Sequence, residues 1–203
     1  MLTNEIYETI RSKVLLNLSN NLSGDLLYHC VDHTIDVEMQ AERIAISENI
    51  TDPEDLILLK IACLYHDTGF LFTYNEHEEM GCDLAKQELA EFSVSPEQIE
   101  VIRGLILATR IPQKPLTKLE EIICDADLDY LGREDFFPIA NNLYLELKAK
   151  GFVKTENDWN LIQVKFFKQH DYFTTTTKEL RQQNKLKHLE MIEAVTDTVK
   201  ATG

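Results

Sequence analysis

Apolar residues recur at intervals of three and four positions through most of the chain, and alternating runs of the strand type are scarce. That period lays an apolar stripe along each of several helices, so the sequence predicts an all-α protein, a compact single-domain helical bundle. Helix starts carry their own chemistry. In Thr51-Asp52-Pro53-Glu54 a capping hydroxyl precedes a first-turn proline and a carboxylate, opening a helix with apolar positions at Ile57, Leu58, Ile61, Ala62 and Tyr65. Ser95-Pro96-Glu97-Gln98 repeats that pattern before Ile99, Ile102, Ile106 and Leu107. Thr117 with Glu120 does so before Leu119, Ile122, Ile123, Ala126 and Tyr130, and Gly132 is placed to end that helix. Further helices are predicted over residues 4–18, 32–48, 80–91, 139–150, 158–169 and 177–195, with a loop over 69–79 and a frayed tail past Ala194.

Composition narrows the class. A length of 203 residues suits one domain with a full core, so residues 1–203 read as a single domain. Hydrophobic residues at 44% and charged residues at 27% exclude wholesale disorder, and only 7 Gly and 5 Pro favour long helices over many short strands. Lys plus Arg number 20 against 35 for Asp plus Glu, a formal charge of 20 − 35 = −15. Such a field repels polyanions, so neither nucleic acid nor an anionic membrane surface is expected as a partner. A small phosphorylated ligand remains compatible, because a metal ion or a few local cations reverse the potential inside one cleft. Cys30, Cys63, Cys82 and Cys124 lie far apart with no C-x-x-C pair and read as reduced, buried thiols. With no leader-like start and no span of bilayer length, the expectation is a cytoplasmic protein. Trp159 with Phe166 and Phe167 is expected to pack the C-terminal helices.

Candidate chemistry begins at His66-Asp67, which ends the apolar helix "LILLKIACLYHDTG" where solvent-facing residues would ordinarily finish it. An imidazole and a carboxylate side by side, followed by Gly69 to turn the chain, can hold one divalent ion from neighbouring directions. Taken alone, the commoner reading is a core histidine beside a capping aspartate. His33 shifts that balance: it shares a helix face with Val37, Ala41 and Ile44 and so points inward, where it needs a partner. Asp32 and Asp36 are local candidates, and an ion shared with His66 and Asp67 is another. In "IICDADLDYLG", Asp127 lies about 60° from the centre of the apolar stripe, Asp129 about 100° and Asp125 about 140°. Asp127 is therefore the carboxylate expected to face the interior, with Asp125 as the alternative, while solvation suits Asp125 and Asp129 better.

The ordered strings "YHCVDHTIDV", "LYHDTGF" and "ICDADLDYLG" resemble the HD-domain superfamily, a helical family of metal-dependent phosphohydrolases. The resemblance covers residues 25–135 as a metal-binding core, leaving residues 136–195 as C-terminal helices packing on it. It implies His33, His66, Asp67 and Asp127 as ligands of one divalent ion (Mn, Fe, Ni, Zn, Co or Mg), with open positions for water and a phosphate oxygen. Asp67 would also assist the attacking water as a base. His77, in "NEHEEMGCDLA", sits where binuclear members place an extra ligand, but "LILATRIP" has Thr109 and Arg110 where those members carry histidine. Arg110, Lys114 and Arg133 are the candidate phosphate cations. His29 reads as a capping or packing residue, and Glu76, Glu78 and Glu79 as solvated acids.

The resulting expectation is a phosphohydrolase acting on a small phosphorylated compound, best a nucleotide. The alternatives are a non-catalytic nucleotide-sensing module on the same fold and, more remotely, di-iron oxygenase chemistry. Substrate identity and oligomeric state are open at this level.

Overall fold

The computed structural model describes the backbone of residues 2–202 and the side chains of residues 2–196. The described residues are all-α, without a strand: α1 (Asn4–Asn21), α2 (Val31–Ser47), α3 (Pro53–Tyr65), α4 (His77–Leu89), α5 (Pro96–Ala108), α6 (Lys118–Asp127), α7 (Phe136–Ala149), α8 (Glu156–Gln169) and α9 (Thr175–Thr202). Short 3₁₀ turns occupy Thr68–Leu71, Ala90–Phe92 and Asp129–Gly132. The chain forms two compact units, one of Met1–Gly24 with His29–Asp127, the other of Asp25–Tyr28 with Leu128–Gly203.

In the first unit α3 is the central element. Leu59, Ile61, Ala62, Cys63, Leu64 and Tyr65 are all fully buried, because the helix is apolar on every side and packs against α1, α2 and α5. Its cap is the Asp52 carboxylate, which accepts from the Glu54 amide at 2.8 Å, and not the Thr51 hydroxyl. Pro53 fixes a helical φ at the first position, so the residue directly before it is the one in capping geometry. The Ser95–Gln98 box forms reciprocally, with amide contacts of 3.3 and 2.8 Å. Thr117 and Glu120 do the same at the start of α6, at 3.3 Å each.

Three boundaries differ from the sequence pattern. The stretch expected as a loop ends at Glu76, which takes φ 56, and α4 starts at His77 with Glu78 and Glu79 in its first turn, where the helix dipole favours acids. Helix α6 stops at Asp127 instead of running to Gly132, and the following residues tighten into the 3₁₀ turn. At the C-terminus the backbone of α9 continues past Ala194 to Thr202; Gly203 lies outside the described residues.

The second unit is organised around aromatic side chains. Tyr28, Tyr130, Phe136, Trp159, Phe167 and Tyr172 form its core with Leu131 and Ile192. The Tyr28 amide donates to Glu146 at 2.9 Å, tying the 25–28 segment to α7. Helix α9 packs against α8 and the 129–132 turn.

Candidate metal centre

Four polar side chains converge inside the first unit from three separate stretches of chain. His33 comes from the first turn of α2, His66 and Asp67 from the end of α3 and Asp127 from the last residue of α6. The turn at His66 is closed by its amide bonding Ala62 O, which carries the helix just far enough to present both adjacent side chains. His33 Nε2 lies 3.4 Å from Asp67 Oδ2 and 3.2 Å from Asp127 Oδ1. His66 Nε2 lies 3.2 Å from Asp67 Oδ2, 3.6 Å from Asp127 Oδ1 and 3.4 Å from His33 Nε2.

His66 Nδ1 sits 2.8 Å from the Cys63 carbonyl, an acceptor only, so this nitrogen carries a proton and donates it there. A neutral His66 consequently aims the Nε2 lone pair at two carboxylates and a second imidazole. The Oδ2 atom of Asp67 is buried without a hydrogen-bond partner. Converging lone pairs repel one another unless a cation, proton or metal, lies among them. Protons take that role when no metal is bound. Burial disfavours a charged His33, but once protonated it can donate toward Asp127 and Asp67, which outweighs burial and raises its pKa to about 9. His66 is driven well above the usual histidine range by the same carboxylates. Against the cost of burial, the imidazoles hold Asp67 well below the usual carboxylate range and Asp127 at about 2. Two imidazoles and two acids in this arrangement could hold a divalent ion, and the ligand atoms of His33, His66 and Asp127 all lie within 4.8 Å of one another.

Asp127 rather than Asp125 supplies the oxygen that reaches the imidazoles. The expectation that Asp125 and Asp129 are solvated is incorrect, because both are fully buried. Helical angles measured against one apolar stripe fail for Asp129 because α6 ends before it. The Asp129 carboxylate instead takes the Arg181 guanidinium at 3.0 and 2.9 Å, a partner that one helix cannot reveal.

His77, first residue of α4, brings Nε2 to 3.4 Å from Asp67 Oδ1 and 3.7 Å from Glu78 Oε1, with Nδ1 3.4 Å from Tyr74 O. Its ring stacks on Phe70 at 4.0 Å, and the same phenyl ring stacks on His29 at 4.1 Å. Sequence reasoning missed Phe70 and also Glu78, which is buried and not solvated. A phenylalanine beside a glycine in a loop gives no sign of which imidazoles it will stack on. Arg110 is half-exposed and reaches Glu78 at 3.6 Å and Glu79 at 3.4 Å, so it joins the same corner through acids. Lys114 is exposed and pairs with no described residue. Arg133 belongs to the second unit, where it clamps Asp135 at 2.8 and 2.7 Å.

Two glycines let α4 seat against this turn. A side-chain carbon on Gly69 would collide with the His77 carbonyl, and one on Gly81 would stand 2.8 Å from Tyr65 O and 3.3 Å from Thr68 Oγ1.

A helical core that draws two histidines and two aspartates together defines a class of proteins with a His/Asp cluster that could hold a metal. Residues 30–129 match the HD domain family, and the chain belongs to that family, whose members are mostly metal-dependent hydrolases. Two solved structures share its fold. A Lactobacillus plantarum protein from a structural genomics programme is 17% identical over 99% of this chain and 100% of its own, with a TM-score of 0.69. Bacillus subtilis YpgQ, solved in complex with ADP, is 18% identical over 93% of this chain and 96% of its own, with a TM-score of 0.62. At these identities the likeness shows the fold alone. No curated protein shows a significant match to the chain. No helix among the described residues is long and apolar enough to cross a membrane.

Proposed function

We propose that this protein is a metal-dependent phosphohydrolase that cleaves a phosphoester of a small phosphorylated compound, a nucleotide suiting it best. The observation that carries this reading is the meeting of His33, His66, Asp67 and Asp127, with Asp67 Oδ2 buried and without a hydrogen-bond donor. These four residues would hold the ion. When bound, a divalent ion supplies Lewis acidity toward a phosphoryl oxygen and makes a water more acidic.

The chain's own groups divide the remaining work. Asp67 turns Oδ2 toward His33 and His66 and Oδ1 toward His77, so one carboxylate can serve the ion and also orient or deprotonate the attacking water. His77 is drawn above its ordinary pKa by Asp67 and Glu78 despite the opposing effect of burial, so it can hold a proton at Nε2 for the departing oxygen. Arg110 and Lys114 offer positive charge to phosphate on a chain of net charge −15, Arg110 by exchanging its Glu78 and Glu79 contacts for a phosphate oxygen. That a protein of the same fold was solved with ADP supports a nucleotide as substrate.

The test combines elemental analysis with phosphate release from mono-, di-, tri- and cyclic nucleotides by the metal-loaded protein and by its Asp67→Ala variant. The expected result is bound divalent metal and turnover in the parent, and a folded variant without turnover. Unchanged turnover in Asp67→Ala rejects the mechanism. Nucleotide binding by the parent with no phosphate released from any member of the panel rejects hydrolysis in favour of a sensing module.

A further inference from the structure

Away from the metal centre of the first unit, the second unit contains a half-open cavity of about 350 Å³ lined by α7, α8 and α9. This volume falls near the lower end of the roughly 300–1,000 Å³ typical of small-molecule sites. Its walls combine two kinds of group. Phe137, Tyr144 and Trp159 supply aromatic surface, and Asn141, Asn160 and Gln163 supply side-chain amides. We infer that this cavity is a binding site for a small uncharged nitrogen heterocycle, of the size and polarity of a nucleoside base, separate from the metal centre.

Gln163 carries the argument. Its side chain is only 6% exposed, in a position where an apolar residue would be cheaper. Its Nε2 donates to Asn160 Oδ1 at 3.2 Å, while its Oε1 accepts from no described residue. An amide oxygen that lines a cavity with no protein donor on it offers an acceptor there for a ligand or for water. Half-buried Asn160 and exposed Asn141 add two more side-chain amides to the lining. Together they present donors and acceptors, the alternation found on the edge of a purine or pyrimidine. Flat aromatic walls favour a flat ligand, since every heterocyclic face can stack on them.

Charge sets the remaining selectivity. Glu156 is the one charged residue among those lining the cavity, and no lysine or arginine lines it. An anionic ligand such as a phosphate would thus meet repulsion here, so this site and the metal centre select chemically different molecules. Half-exposed Phe137, Met191 and Val195 form an apolar mouth through which a neutral ring can enter.

Trp159 is the only tryptophan in the chain, so its fluorescence reports directly on this cavity. The protein of residues 1–203 is titrated with adenosine, inosine and cytidine, and with AMP as the anionic comparison. The expected result is a saturable change in Trp159 emission with at least one nucleoside, and binding at least tenfold weaker for AMP. Gln163→Leu, of nearly equal volume, and separately Asn160→Leu should each weaken nucleoside binding about tenfold. Asp67→Ala should leave the titration unaltered, because the metal centre does not contribute to it. The inference is overturned by any of three results: no saturable change with any of the three nucleosides, AMP binding as tightly as the nucleoside, or undiminished binding in both cavity variants. Loss of the signal in Asp67→Ala also overturns it, since the nucleoside would then reside at the metal centre.

Discussion

The imidazoles of His33 and His66, 33 residues apart in sequence, face each other Nε2 to Nε2 at 3.4 Å. Two acceptor nitrogens at that distance, with carboxylates of Asp67 and Asp127 beside them, define a position that must be filled by positive charge. What fills it depends on pH and on metal supply.

The metal-free protein should lose stability between about pH 6.5 and 9. His33 has its pKa raised from 6.5 to about 9, so its stabilising contribution is complete below the unfolded value and disappears as pH rises through the folded one. The difference amounts to something on the order of 3 kcal/mol. Divalent ions compete with those same protons, so their affinity should rise with pH by about tenfold per unit for each proton displaced. Thermal denaturation with and without manganese across this range is the check; a flat metal-free profile contradicts the argument.

Gly69→Ala should destabilise the protein by about 1–3 kcal/mol, because the added methyl group meets the His77 carbonyl and overpacks the turn. Gly24→Ala, where nothing lies within 4 Å of the new atom, should stay within about 0.5 kcal/mol of the parent. Equal melting temperatures for the two variants would show that the close approach of α4 to the turn is not required.

Phe70 holds His77 and His29 by stacking on both. Phe70→Leu retains apolar bulk but removes the flat surface, so turnover should fall on the order of tenfold through misplacement of His77. Ion affinity should change little, since the Phe70 ring contacts are with His29, Tyr74 and His77, and the amide bond from Phe70 to Asp67 O belongs to the backbone, which the substitution keeps. A fall in ion affinity as large as that in turnover would assign Phe70 to the ion instead.

Asp129→Ala leaves the Arg181 guanidinium facing a buried space without its carboxylate. Removing one partner of a buried ion pair costs roughly 3–5 kcal/mol, and Arg181 retains some exposure, so the loss belongs toward the lower end. Denaturant unfolding measures it, and a change below about 1 kcal/mol would show that solvent replaces the carboxylate freely.

By itself the sequence determined the all-α class, through its three-and-four periodicity and its helix-start residues, the caps at Ser95 and Thr117 and the first-turn Pro53. It also marked His33, His66, Asp67 and Asp127 as candidates, since an imidazole or carboxylate on an apolar helix face stands out locally. Only the tertiary structure decided that Asp125 and Asp129 are buried, that Phe70 lies against two imidazoles and that Gln163 faces a cavity beside Trp159. Each of those facts depends on a partner from another helix. Periodicity records which face of a helix is buried, but the groups waiting on the other side are set by packing between segments that share no local pattern.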